Sequence, residues 1–219
     1  MSLLANLSTD SNIQDETDSV GSSLLDSGTY KATVATAYID KASSGALALV
    51  CTFKTDAGKE VRQTFWMTSG TAKGGKNYYE KDGEKKYLPG FIMANSLALL
   101  TVGKEISALD TETKVVKKYS KDAKAEVPTK VEMVMDLVGQ EIILGLLRQT
   151  VDKTIKTDDG SYVATGETRD ENEVDKLFRA RDNMTTAEIR AQADEANFIN
   201  TWNKKWSGQV KNKSKGATD

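Results

Sequence analysis

The sequence predicts a mainly β protein with some α: an antiparallel barrel followed by a helical C-terminal arm. Three observations predict it. Residues 28–68 hold three stretches dense in β-branched and aromatic types, separated only by short Gly- and Asp-bearing turns. Two further apolar stretches, 131–138 and 141–151, have the length and composition of strands. From residue 171 onward, apolar side chains recur at helical spacing.

Residues 1–27 are rich in Ser, Asp, Thr and Asn with no sustained period, which predicts a flexible acidic N-terminal arm. The barrel core is expected over residues 28–165. Its first strand is residues 29–39, followed by the turn Lys41-Ala42-Ser43-Ser44-Gly45. A second strand over 46–55 and a third over 60–68 are joined by Asp56-Ala57-Gly58-Lys59, so the three form a meander. In the third strand Val61, Gln63, Phe65 and Met67 share one face and Arg62, Thr64, Trp66 and Thr68 the other. The first face is the more apolar, so Arg62 and Trp66 are expected outside.

A segment with four glycines before Pro89-Gly90 follows, carrying Tyr78, Tyr79 and Tyr87 among five lysines. Its aliphatic content is too low for a core of its own, and Asp82-Gly83 marks a small hairpin within it. Residues 91–102 predict a helix closed by Gly103. Residues 104–128 are a polar, lysine-rich connection with a short strand at 114–119. The two apolar stretches flank Gly139, although 135–147 also fits a buried helix. Residues 161–168 suit an exposed loop or a last short strand.

A helical C-terminal extension is expected over 166–208. Val174, Leu177 and Phe178 stand at i, i+3 and i+4 within a helix over 171–181. A second helix over 189–206 follows the capping box Thr185 to Glu188. Residues 209–219 complete the chain as a basic, flexible tail.

Composition excludes most catalytic chemistry. The chain has no histidine and one cysteine, which removes His general bases, nucleophile–His pairs and Cys- or His-based zinc sites. No GxxxxGK[ST] loop is present, and no strand runs into GxGxxG. No cofactor and no metal site are expected. Carboxylates around a hard metal, with Asp136 and Glu141 as candidates, are the remaining catalytic option. Cys51 lies in an apolar run and reads as a buried small hydrophobe. No apolar stretch approaches the ~20 residues of a membrane span, and no Lys or Arg precedes Lys31, so a cytosolic, non-membrane protein is expected.

Net charge is −2, but it is unevenly spread. Residues 1–30 carry five acidic groups and no basic one; residues 54–90 carry eight basic against five acidic. Residues 199–219 carry five lysines against Asp219. Three short-looped strands, a glycine-rich excursion, a helix and further strands match the outline of an OB-fold. Such barrels hold single strands in a basic groove with aromatic platforms, each stacked base contributing about 1–3 kcal/mol whatever its identity. Arg62, Trp66, Lys73, Lys76, Tyr78, Tyr79, Lys81, Lys85, Lys86 and Tyr87 have that composition and are the candidate nucleic-acid-binding residues. Tyr78 and Tyr79 point to opposite sides of a strand, so only one of them is expected to meet a ligand.

The run from Phe65 through Gly74-Gly75-Lys76-Asn77-Tyr78-Tyr79 resembles the single-stranded DNA-binding proteins of tailed bacteriophages. The runs Lys86-Tyr87-Leu88-Pro89-Gly90-Phe91 and Asp136-Leu137-Val138-Gly139-Gln140-Glu141 carry the same resemblance, and so does the stretch from Glu167 to Lys176. The resemblance spans roughly residues 28–206. It implies an OB-like fold and a protein that coats exposed DNA in phage replication and recombination, in the cytoplasm of the infected bacterial host. Phage replication proteins are the further partners it implies. It departs from many replication single-strand binders in ending basic rather than acidic.

The leading functional expectation is sequence-nonspecific single-stranded DNA binding without catalysis. The helical arm, with Leu177, Phe178, Trp202 and Trp206, is expected to pack on the barrel, with self-association or partner docking as its other roles. The alternative is a protein-interaction module binding a host or phage replication or transcription factor through the tyrosine-rich loop or the Trp202/Trp206 tail.

Overall fold

The computed structural model describes residues 24–120, 123–157 and 162–215. The expected acidic arm therefore lies outside the described residues up to position 23, as do residues 216–219 of the tail. The fold is mainly antiparallel β with a few helices. Strands β1 (Gly28–Lys41), β2 (Leu47–Thr55) and β3 (Glu60–Trp66) form the expected meander. Leu49, Cys51 and Phe53 of β2 and Val61 and Phe65 of β3 point inward into one core. Parity places Arg62, Thr64 and Trp66 outward, and all three are exposed.

β1 changes face partway along. Its register against β2 shifts between Val34 and Thr36, so Ala35 is an extra, exposed residue. Before the shift Ala32 and Val34 face the core; after it Ala37 and Ile39 do, and Tyr38 is turned to the outer face. The same bend changes the partner of β1's other edge. Gly28 to Thr33 pair with β8 (Glu141–Lys156), whereas Tyr38 and Ile39 pair with β7 (Ala125–Met133). β7 forms a hairpin with β6 (Glu112–Ser120). This hairpin covers the outer face at Tyr38 and Val50 with Val131, Met133 and Val116, a second small core.

The glycine-rich excursion contains the expected hairpin, β4 (Tyr78–Lys81) and β5 (Glu84–Tyr87), turning at Asp82-Gly83 with both residues at positive φ. Helix α1 (Pro89–Thr101) follows, with Pro89 opening it. Its Ala94, Leu97, Ala98 and Leu100 enter the main core. β8 is strand throughout, so the buried-helix option over 135–147 is not taken; only Met135–Leu137 forms a short 3-10 turn. β9 (Tyr162–Arg179) pairs along β8 and gives the order β3-β2-β1-β8-β9. The sheet does not close into a barrel. β3 and β9 share no ladder, and the Val174 N–H donates instead to the Gln63 side chain at 3.0 Å.

Three expectations for the C-terminal third are corrected. The helix expected over 171–181 is the inner half of β9. The register shift against β8 between Gly145 and Leu146 leaves Asp175 as an extra residue, so Val174 and Leu177 both enter the main core. A bulged strand thus reproduces the three-residue spacing of a helix. Phe178 then falls on the opposite face, against Ile143, Leu147 and Trp202. The single helix expected over 189–206 is two, α2 (Thr186–Arg190) and α3 (Phe198–Trp206), broken where Gln192 adopts φ +54. The capping box forms as expected, Thr185 accepting from the Glu188 N–H. The tail expected to be free at 209–215 is also structured. β10 (Val210–Asn212) runs parallel to β8, and Ser27 fastens it by donating to the Gln209 carbonyl and accepting from the Arg148 N–H. No described helix is long and apolar enough to cross a membrane.

Candidate nucleic-acid interface

The outer face of the meander is ordered by register into rows. Asp40, Ala48 and Trp66 form one, Tyr38, Val50 and Thr64 the next, and Thr36, Thr52 and Arg62 the third. Trp66 ends β3 with 47% of its surface exposed. An indole left this open costs hydrophobic free energy that burial would have recovered, and its flat face is a stacking surface. Its backbone is held rigidly from behind. A Cβ on Gly90 would stand 2.1 Å from the Trp66 carbonyl oxygen and 2.6 Å from its nitrogen, so only glycine lets α1 approach there.

The loop after Trp66 is anchored rather than loose. The Thr71 N–H donates to the Ser44 carbonyl at 2.7 Å, and the Ser69 N–H to Lys76 at 2.8 Å. Gly74 and Gly75 both take positive φ, which turns the backbone back toward β4. A groove of about 530 Å³ opens beside them, floored by Ile39, Met67, Phe91 and Val134.

The ten candidate residues do not share one surface. Arg62 and Trp66 lie on the meander face. On the β4–β5 hairpin, cross-strand pairing puts Tyr78, Lys85 and Tyr87 on one side and Tyr79, Lys81 and Lys86 on the other. Tyr78 is half-buried, with the Lys76 and Lys85 ammonium groups 5.3 and 5.0 Å from its ring centre. Tyr87 leans on Phe91 of α1, ring centres 5.1 Å apart. Tyr79 stands 42% exposed, beside Lys86, which is paired with Glu84 at 3.3 Å. Lys73 is exposed in the short turn Thr71–Lys73. The two tyrosines therefore offer opposite faces, one engaged by cations and the other open.

Sequence reasoning missed part of this surface. Arg62 Nη2 donates to the Tyr38 hydroxyl at 2.8 Å, while the Lys118 ammonium lies 5.7 Å from the same ring and 2.9 Å from Asp40. Tyr38 is buried beneath them. Strand parity without the Ala35 bulge gives no means of placing Tyr38 outward, and nothing local brings the strand expected at 114–119, which holds Lys118, against the meander.

Trp202 is buried against the sheet, as the packing role expected of the arm requires, and donates to Asp175 at 2.8 Å; it is not available for docking. Trp206 is half-buried with Lys205 and Lys211 over its ring at 4.8 and 5.2 Å. Cys51 is fully buried, and burial raises its thiol pKa well above the ordinary value, so it is a packing residue. Asp136 and Glu141 are exposed, and among the described residues no three Asp, Glu or Cys side chains converge to hold a metal. The chain matches no protein-family model and no curated protein.

Proposed function

We propose that this chain binds single-stranded nucleic acid, DNA in the first instance, without regard to sequence and without catalysis. Exposed Trp66, rigidly mounted on a sheet face and followed along the chain by a tyrosine- and lysine-bearing hairpin, carries the reading. Stacking is indifferent to base identity because every base has a π-face, and lysines neutralise phosphates without reading sequence. Strand order β3-β2-β1-β8-β9 with α1 between β3 and the later strands supports an open OB-like arrangement, a design that presents such a face. Together with the phage-like motifs, this reading puts the protein on exposed DNA during phage replication and recombination in the host cytoplasm.

The test is tryptophan fluorescence during titration with a thymidine oligonucleotide at low salt. Quenching is expected, reversed by added salt, and largely abolished in Trp66→Phe while Trp202 and Trp206 remain. Electrophoretic shifts should favour single-stranded over duplex DNA. No quenching and no shift in dilute buffer would overturn the reading.

The protein-interaction alternative has one observation of its own, on a different surface. An apolar groove of about 380 Å³ lies between α1 and the α2–α3 pair, with Ile92 and Phe198 exposed at its edge. Oligonucleotide binding that no substitution on the Trp66 face alters would move attention there.

A further inference from the structure

We infer that a bound strand crosses the meander from Trp66 to a second phosphate position at Lys118, which Asp40 occupies in the free protein as the phosphate's stand-in. This rests on the single-strand reading and adds its direction and its far anchor. The row Asp40–Ala48–Trp66 joins the two points. Adjacent strands lie about 4.8 Å apart, so the ends of the row are separated by roughly 10 Å, a span that a few nucleotides cover. Ala48 between them is fully buried and adds no exposed surface of its own to that path.

Lys118 comes from the β6–β7 hairpin, the element that curls over the outer face, and its side chain keeps 25% of its surface exposed. Its partner Asp40 is more open, at 39%. The pair is therefore within reach of solvent and of an incoming oxygen, unlike a buried ion pair. Arg62 stands on the other side of Tyr38 and has no acidic partner among the described residues. Two cations are thus fixed around one buried tyrosine, one free and one masked by a carboxylate. A phosphate oxygen has the charge and hydrogen-bonding geometry to displace Asp40 from Lys118. Asp40 then lowers affinity, because its pairing with Lys118 must be given up on binding.

The test is a salt titration of binding to a thymidine oligonucleotide by wild type, Asp40→Asn, Lys118→Gln and the double variant. Lys118→Gln should weaken binding about threefold near physiological salt and make the log–log slope shallower by about 0.7, one single-strand phosphate contact. Asp40→Asn should tighten binding several-fold and steepen the slope. In the Lys118→Gln background, Asp40→Asn should have no further effect, since Asp40 acts through Lys118. An unchanged slope in Lys118→Gln, or equal tightening by Asp40→Asn in both backgrounds, would overturn the inference. Should Asp40→Asn fail to fold, the Lys118→Gln slope decides alone. Wild type that binds no oligonucleotide sinks the parent reading instead, so the two failures are distinguishable.

Discussion

Trp66 and Gly90 form a pair in which one residue is left open and the other makes that possible. The indole face is exposed while its backbone is clamped against the start of α1, so stacking a base orders little that was free before. Trp66→Ala should weaken binding by about 1–3 kcal/mol, equally for thymidine- and adenine-rich oligonucleotides. Its urea midpoint should fall less than that of the buried Trp202→Ala, because about half of the Trp66 surface is already exposed in the fold. Gly90→Ala acts the other way round. The added methyl meets backbone, which cannot swing aside, and the β3–α1 seam must open; a loss of about 1–3 kcal/mol in urea unfolding is expected. Retention of full stability in Gly90→Ala would show that α1 shifts freely, and the rigid mounting of Trp66 would then be lost as an argument.

At the scale of elements, one carboxylate organises the two short helices. Glu188 Oε2 accepts from the Thr185 N–H at 2.9 Å, and Oε1 from the Asn197 and Phe198 N–H groups at 2.8 Å each. A five-residue helix is too short to stand on its own hydrogen bonds, so this double cap is what makes the α2–α3 corner definite. Desolvation raises the Glu188 pKa, but the hydrogen bonds from Thr185, Phe198 and Asn197 together outweigh it and the net shift is downward. A carboxylate with a lowered folded-state pKa stabilises the fold above its unfolded value, near 4.3, and that contribution fades as pH falls through the folded value. Glu188→Gln should therefore destabilise the protein by about 0.5–2 kcal/mol at neutral pH, with the difference from wild type shrinking on acidification below pH ~4. Urea unfolding at pH 7 and pH 3 measures both; a constant difference would assign the loss to packing rather than charge.

For the whole molecule, the C-terminal segment is a clasp on the outer face of β8 and β9, strands other than the one that carries Trp66. Trp202 fills a space that Gly145 leaves open, where a Cβ would come within 3.3 Å of the indole, and packs with Ile143, Leu147 and Phe178. β10 then adds to the edge of β8, and Ser27 ties it to the start of β1. Trp202→Ala should cost about 3–5 kcal/mol, the range for emptying a large aromatic from a packed site. The folded fraction should keep wild-type oligonucleotide affinity, which fluorescence of the remaining Trp66 can follow. A specific loss of binding without loss of stability would place the interface on this face instead.

The linear chain by itself determined the meander, the Asp82-Gly83 hairpin, the first helix, the Thr185–Glu188 cap and the outward placement of Arg62 and Trp66. Each depends on contacts within a few residues, or on alternation between adjacent strands, which a one-dimensional pattern encodes. Tertiary structure alone decided what lies beyond the bulges. The extra residues Ala35 and Asp175 each invert strand parity, sending Tyr38 outward and giving Val174 and Leu177 the spacing of a helix. Only pairing with β2 and β8, distant in sequence, makes those inversions favourable. The gathering of Lys118, Asp40, Tyr38 and Arg62 from three strands has the same origin: long-range pairing carries no local period from which it could be read.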